Sequence, residues 1–374
     1  MQGTGEEAAV TDLSKTIATR IGLKDGRRLV LFAGGEILKD SKRSKHKEAP
    51  RCREISYVVR QVCALEAALG FRRALAGGTR DHTYVTVTNA IACLTFNYQF
   101  NQSLQGVILP SSLQTLTFGH KFDETLENVS LPTSLLTLTF GVSFNQSLEN
   151  VTLPSSLKTL TFGYRFNQSL ENVNLPSGLQ TLTFGFSFNQ SLEKVSFPSS
   201  LQTLTCSDSL FNHGLENVTL PSSLQTLTFG RGFNQSLEGV TLPTSLQTLN
   251  FGDHFDQSFE DVTLPSSLQC LTFGMEFNQS LEGVTLPSSL QTLTFGDRFN
   301  QSMHGATLPA SLQTLTFGME FNQSLKGVTF PSSLQTLIFG AAFRPRFLNS
   351  IARPSSCREI RSCEFTVSVH FSEE

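Results

Sequence analysis

Tryptophan is absent from these 374 residues, tyrosine occurs four times, and only 16% of the chain is charged. Against those four tyrosines stand 32 phenylalanines. So one-sided an aromatic usage points to one pattern copied many times rather than to a varied core. No run approaches the ~18 apolar residues of a membrane-spanning helix. A formal net charge of −3 provides no basic field for nucleic acid or an anionic membrane, so neither is expected as a partner. The seven cysteines (Cys52, Cys63, Cys93, Cys206, Cys270, Cys357, Cys363) include no CxxC pair. An odd, irregularly spaced set argues against both a disulfide framework and a zinc site. The first ten residues are acidic and carry no apolar stretch, so no secretory leader is expected. Together these features favour a soluble protein in a reducing compartment, with a cytoplasmic setting expected.

What is present is a period. Pro110, Pro132, Pro154, Pro176 and Pro198 are followed by Pro221, Pro243, Pro265, Pro287, Pro309 and Pro331. Every step is 22 residues except one of 23, between Pro198 and Pro221. The copy at 286–307 reads LPSSLQTLTFGDRFNQSMHGAT. A degenerate first copy retains Ile91, Leu94, Phe96, Phe100 and Asn101, with Thr88 in the proline slot. Twelve copies therefore run from about 88 to 345. No copy can close a core alone, so each must bury its apolar residues against the copies on either side.

The fold class expected is mainly β: a leucine-rich-repeat-like solenoid of 22-residue coils with one short parallel strand per coil. Residues 291–295 (QTLTF) alternate and are rich in Thr and Phe, which predicts a strand with Leu293 and Phe295 inward and Thr292 and Thr294 outward. Leu290 is expected to face inward at the bend before it. Gly296 is expected to end the strand at a positive φ, with Asn97 taking that slot in the first coil. Phe299 and Asn300 follow, predicted to enter the core. Met303, the Val-type position and the Leu before Pro pack the return path, and Pro287 begins the next approach where its missing N–H does no harm.

The Asn after Phe recurs as Asn101, Asn145, Asn167, Asn189, Asn212, Asn234, Asn278, Asn300 and Asn322, with Asp123 and Asp256 in two coils. A turn inside a solenoid carries backbone groups that no strand pairs, and leaving one bare costs roughly 1–3 kcal/mol. An inward Asn offers donor and acceptor together, so these residues are predicted to form a structural ladder along the coils. Many lie in N-Q-S, a formal glycosylation sequon. Buried Asn in a chain without a leader is read as structural instead.

The recurring string GxxFNQSLExVTLPSSLQTLTFG resembles the FNIP repeat, a relative of leucine-rich repeats named for its Phe-Asn-Ile-Pro motif. The resemblance covers about 250 residues. This chain departs from it with Ser where Ile-Pro or Gln-Pro often follows Phe-Asn. It implies a curved solenoid used for protein interaction, and it implies no activity.

The flanks read differently. Leu13, Ile17 and Ile21 share a helix face with Gly22 as C-cap. Arg27-Arg28-Leu29-Val30-Leu31-Phe32-Ala33-Gly34-Gly35-Glu36-Ile37-Leu38 follows. This resembles the central helix and next strands of a ubiquitin-like domain; Val30 through Gly34 match, and Gly35 stands where Lys is frequent. The first hairpin, a closing strand and a terminal Gly-Gly are lacking, so the segment reads as partial and not conjugated. Residues 39–47 (KDSKRSKHK) form a basic run, read as a solvated linker with nuclear import as the alternative. Ile55, Val58, Val59, Val62, Leu65 and Leu69 keep helical spacing and predict a helix covering the first coil. Phe365, Val367, Val369 and Phe371 alternate, predicting a strand over the last coil's edge. The expected organisation is a small α/β segment with its linker at 1–48, a helical cap at 49–87, coils at 88–345 and a tail at 346–374.

Chemistry needs convergent groups. The seven histidines (His46, His82, His120, His213, His254, His304, His370) are dispersed, and no pair has metal-ligand spacing. Carboxylates fall singly, at Glu127, Glu149, Glu171, Glu193, Glu216, Glu238, Glu260 and Glu282, and predict a solvated acidic row. Gly34-Gly35 is not followed by the Lys of a phosphate loop. No enzyme, metal or cofactor is expected.

Variation between copies is more informative. The two residues after the glycine change in almost every coil: His120-Lys121, Tyr164-Arg165, Phe186-Ser187, Arg231-Gly232, Asp253-His254, Met275-Glu276, Asp297-Arg298 and Met319-Glu320. This pair is expected on the rim of the strand face, where repeat proteins engage partners, and predicts a protein ligand. An unconstrained loop would vary in the same way. The outward Thr-x-Thr pairs suggest a second use. Thr115/Thr117, Thr137/Thr139, Thr159/Thr161, Thr181/Thr183, Thr203/Thr205, Thr226/Thr228, Thr292/Thr294 and Thr314/Thr316 resemble the water-ordering ladders of ice-binding solenoids, although Asn250, Cys270 and Ile338 interrupt them. Plain β-propensity accounts for the pattern equally well. One coil is irregular: Cys206 replaces Phe, Ser207 replaces Gly, a residue is inserted before Phe211, and His213-Gly214 replace Gln-Ser. A bulge and a weak coil contact are predicted there.

Overall fold

The computed structural model describes residues 31–33, 36–38, 92–206, 209–344, 357 and 359–362. Two compact units divide the chain, one of residues 1–144 and 150–157, the other of 145–149 and 158–374. In the first unit, β1 (Leu31–Ala33) and β2 (Glu36–Leu38) pair antiparallel. Its coils contribute β3 (Cys93–Thr95), β4 (Thr115–Thr117) and β5 (Thr137–Thr139), in parallel order. The second unit carries β6 (Thr159–Thr161), β7 (Thr181–Thr183), β8 (Thr203–Thr205), β9 (Thr226–Thr228), β10 (Thr248–Asn250), β11 (Cys270–Thr272), β12 (Thr292–Thr294), β13 (Thr314–Thr316) and β14 (Thr336–Phe339). Each pairs in parallel with the next, residue for equivalent residue. No helix occurs among the described residues. The helices expected around 13–21 and 55–69 lie outside them.

Every coil repeats the same inward set. Leu290, Leu293, Phe299 and Met303 are fully buried, and Phe295 nearly so, as are their counterparts in the other coils. The two phenylalanines of one coil stack face to face, Phe295 on Phe299 at 3.9 Å between centroids. Between coils the rings are spaced more widely. Phe295 lies 5.5 Å from Phe317, and Phe299 lies 6.0 Å from Phe321. Adjacent strands sit about 4.8 Å apart. Spacing thus grows from the strand through the first Phe file to the second, so within each unit the coils fan open away from the strands. The same progression holds at Phe118–Phe140 (5.5 Å) and Phe122–Phe144 (6.0 Å) of the first unit.

Backbone groups outside the strands are paired across coils. The Pro-Ser-Ser-Leu corner is a turn in which Leu290 N–H donates to Pro287 O (3.1 Å). The second Ser adds a link that one copy of the repeat does not reveal: Ser289 Oγ donates to Leu268 O of the preceding coil (2.6 Å). Ser134, Ser156, Ser200, Ser223, Ser245, Ser267, Ser311 and Ser333 do the same. A buried polar turn is stable only when its carbonyls find donors, and this hydroxyl supplies one in each of these coils, whereas Gly178 holds the slot in the coil of Pro176.

The glycine after the strand has a different cause from the one expected. Positive φ occurs at Gly106, Gly239, Gly283, Gly305 and Gly327 and at Asn128, each two places after the buried Leu or Met of the return path. The slot of Gly296 is not among them. A Cβ placed on Gly296 would instead collide with Gly274 O of the preceding coil, and Gly119, Gly141, Gly185, Gly252, Gly274, Gly318 and Gly340 are in the same position. Close backbone approach, not left-handed conformation, demands glycine here.

The strand predicted at 365–371 lies outside the described residues. Among the described residues the edge of β14 is covered by β15 (Glu359–Ser362), which pairs in parallel with Leu337 opposite Ile360. Cys357 and Ile360 are buried there.

In the irregular coil the strand register passes unbroken from Thr181 to Thr203 to Thr226. Ser209 N–H donates to Cys206 O (3.0 Å). Ser209 is fully buried and accepts the Phe211 N–H at Oγ. What the coil loses is a ring: Cys206 interrupts the first Phe file, while Phe211 continues the second between Phe188 and Phe233.

Candidate functional site

Two files of side chains leave the strand face just past the glycine. They are held by a backbone ladder of their own, in which the second rim residue donates its N–H to the first rim residue of the preceding coil. Examples are His254 to Arg231 O (3.1 Å), Glu276 to Asp253 O (2.8 Å), Arg298 to Met275 O (2.9 Å) and Glu320 to Asp297 O (2.8 Å). The rim is therefore a hydrogen-bonded edge at coil spacing, not a set of independent loops.

In the first unit, Tyr98 stacks on His120 at 4.3 Å and Lys121 is exposed. In the second, Tyr164 stacks on Phe186 at 4.7 Å with planes 4° apart. Arg165 beside them is exposed, and Tyr164 itself remains about half exposed. Farther along, Arg231 approaches Asp253 (3.5 Å), and Glu276 receives His254 (3.0 Å) and Arg298 (3.5 Å). The His254 hydrogen bond, then the charges of His254, Arg298 and Arg231, hold the Glu276 carboxyl below its ordinary range against an opposing effect of burial. These pairs are solvent-facing, so each adds little to stability. Met275 and Met319 stand exposed, and so do Asp297 and Glu320.

Most of the variable pairs singled out from sequence thus fall on one continuous edge in each unit. The structure brings His254, Glu276 and Arg298 into contact and keeps Met275 and Met319 two coils apart. Leu210 joins them without having been expected there. It occupies the second rim position of the irregular coil, donating to Phe186 O (2.8 Å), and is 44% exposed. The one-residue insertion hides its register, which counting back from Phe211 recovers.

The Asn ladder forms, with a correction to its place. Asn278 and Asn300 are half-buried, and Asn101, Asn189 and Asn212 are exposed, rather than inside the core. The amide oxygen does the linking. Asn278 Oδ1 accepts the Asn300 N–H (2.9 Å) and the Gln301 side chain (3.2 Å) of the next coil. Asp256 substitutes without loss, accepting from Asn278 N–H (2.8 Å) and Gln279 Nε2 (2.9 Å). The same backbone link joins Asp123 to Asn101, Asn167 to Asn145, Asn189 to Asn167, Asn212 to Asn189, Asn234 to Asn212, Asp256 to Asn234 and Asn322 to Asn300. The following Ser of N-Q-S is occupied too: Ser280 Oγ accepts the Glu282 N–H (3.0 Å).

Among the described residues, no group of three His, Cys, Asp or Glu is arranged to hold a metal ion. No helix there is long and apolar enough to cross a membrane. The Glu row is exposed, with Glu171 paired to Lys194 (2.9 Å).

The FNIP Repeat family matches six consecutive stretches, 100–143, 144–187, 188–232, 233–276, 277–320 and 321–361, together more than half of the chain. Among solved structures, CroV588, described as a novel circular LRR protein, is 44% identical with a TM-score of 0.67, over 74% of this chain and 40% of its own length. YopM from Yersinia enterocolitica is 21% identical with a TM-score of 0.44, over 75% of this chain and 61% of its own. The internalin InlF from Listeria monocytogenes is 14% identical with a TM-score of 0.45, over 85% and 98%. The chain thus spans less than half the length of the first of these proteins. No curated protein matches the sequence.

Proposed function

The chain belongs to the FNIP repeat family, and from that premise we propose that it is a non-enzymatic protein-interaction scaffold whose rim reads a protein ligand. One observation carries the reading. Leu, Phe, Ser and Asn slots repeat from coil to coil, while the two rim files change in size and charge on the same rigid hydrogen-bonded edge. A rigid edge with varied side chains suits recognition, because little backbone must be ordered on binding. On this reading the chain works in a reducing compartment, cytoplasmic or nuclear, and the 1–48 segment, with its ubiquitin-like resemblance, links the scaffold to ubiquitin-dependent processes by analogy alone.

The Thr-x-Thr files favour surface binding less well. Most of their threonines are half-buried, and they lie on the tight side of a fanned stack, where a planar lattice is hard to match.

The test is capture of partners by the full chain carrying Arg165→Glu and Arg298→Glu, beside a control with Glu193→Lys in the acidic row. Specific partners lost with the rim swaps and kept with the control support the reading. Partners unchanged by the rim swaps overturn it.

A further inference from the structure

Beyond Arg231, a two-coil period is laid over the 22-residue one. Asp253-His254 is followed by Met275-Glu276, Asp297-Arg298 and Met319-Glu320. In the first file, acid and methionine alternate. Met275 is 46% exposed and Met319 is 48% exposed, with exposed Asp297 between them. Neither Asp297 nor Glu320 has an ion pair among the described residues, whereas Glu276 is engaged by His254 and Arg298. The stretch is therefore an apolar–acid–apolar track with two carboxylates outside any ion pair, the neighbouring Arg298 being turned to Glu276.

Its spacing selects a ligand shape. The rim bonds from Arg298 to Met275 and from Glu320 to Asp297 hold these coils at β spacing, about 4.8 Å, which separates the two methionines by about 9.6 Å. Side chains on one face of an extended strand recur at about 6.8 Å. On a helix, residues i and i+7 are about 10.5 Å apart. In a polyproline II segment, residues i and i+3 share a face about 9.3 Å apart, the nearest match. Such a segment loses little entropy on binding because it is preformed, and flexible thioethers adapt to varied apolar partners.

We propose that Met275, Asp297, Met319 and Glu320 form a docking track for a basic segment of a partner protein in the polyproline II conformation. Apolar side chains at i and i+3 sit on the two methionines. A Lys or Arg between them reaches Asp297 or Glu320. This rests on the scaffold reading and specifies the ligand chemistry for one stretch of the rim.

Fluorescence anisotropy of the full chain tests it with three labelled peptides, built from repeats of Leu-Pro-Lys, Leu-Gly-Lys and Leu-Pro-Glu. The first is expected to bind about tenfold or more tighter than either of the others. That preference should vanish in a Met275→Ser/Met319→Ser double variant and in an Asp297→Asn/Glu320→Gln double variant, with circular dichroism showing both folded. Equal binding of the Leu-Pro-Lys and Leu-Gly-Lys peptides, unchanged binding by either variant, or no binding of any peptide overturns the track. If the peptides fail while natural partners are still lost with the Arg165 and Arg298 swaps, the scaffold reading stands without this ligand.

Discussion

Replacing Gly274 with alanine should open the solenoid between two coils. An added Cβ falls well inside the 3.0 Å that real Cβ atoms keep from Gly252 O, and the obstacle is backbone on both sides. Restoring ordinary contact, at 3.4 Å or more, requires the coils to part. Two bonds bracket that point: Phe251 N–H to Thr272 O (2.9 Å) and Glu276 N–H to Asp253 O (2.8 Å). Both are lost when the coils separate. Leaving such groups bare costs roughly 1–3 kcal/mol each, so Gly274→Ala should destabilise by about 2–6 kcal/mol on the same scale. That is a large part of the roughly 5–15 kcal/mol typical of a folded protein. Two further variants isolate the cause. Gly283 has φ of 78° and nothing within 4 Å of an added Cβ, so Gly283→Ala meets only the left-handed penalty of roughly 1–2 kcal/mol. Gly274→Asn should be as harmful as Gly274→Ala, because Asn tolerates positive φ but not a backbone collision. Urea unfolding followed by far-UV circular dichroism ranks the three, and hydrogen exchange at Phe251 and Glu276 locates the opening. A harmless Gly274→Asn, or a Gly283→Ala worse than Gly274→Ala, would refute the close-approach argument.

Three further outcomes follow from the geometry. Asn278→Ala removes the acceptor for the Asn300 N–H and should cost about 1–2 kcal/mol, while Asn278→Asp, which keeps that oxygen as Asp256 does, should be close to neutral in urea unfolding. Cys206, fully buried with its thiol pushed up to about 12 by desolvation, should resist iodoacetamide at about pH 8 in the native protein while half-buried Cys270 reacts, as read by mass spectrometry of labelled peptides. Glu276 titrates below its ordinary value of 4.5, chiefly through the His254 hydrogen bond. Its favourable contribution is therefore complete above that value and disappears as pH falls through the lowered one. NMR titration should show the Glu276 midpoint rising in His254→Ala; a midpoint that stays put contradicts the assigned cause.

Period, strand position and the inward Leu and Phe slots are legible from sequence because a 22-residue copy repeated twelve times averages out local ambiguity. Leu293 and Phe295 lie where alternation puts them, and Phe299 lies inward beyond the turn as the repeat predicts. The Asn ladder is legible in kind, since a turn between strands needs an acceptor, but not in depth, because exposure depends on how far neighbouring coils overlap. Gly296 reads as a conformational residue because positive φ is the commonest local reason for glycine. Its real reason lies in Gly274 of the preceding coil, which no single copy contains. The Ser289 link to Leu268 O escapes for the same cause.

The residues by themselves determined that like slots must stack on like, since no 22-residue copy can hide its own Leu and Phe from water. Tertiary structure alone decided which atoms meet between copies: the glycine backbone against backbone, Arg298 and His254 on Glu276, Leu210 on the rim, and β15 over the last edge. Inward and outward are set by each strand's own alternation. Distances between coils are set jointly by every slot in the stack, and so exist only once the stack is built.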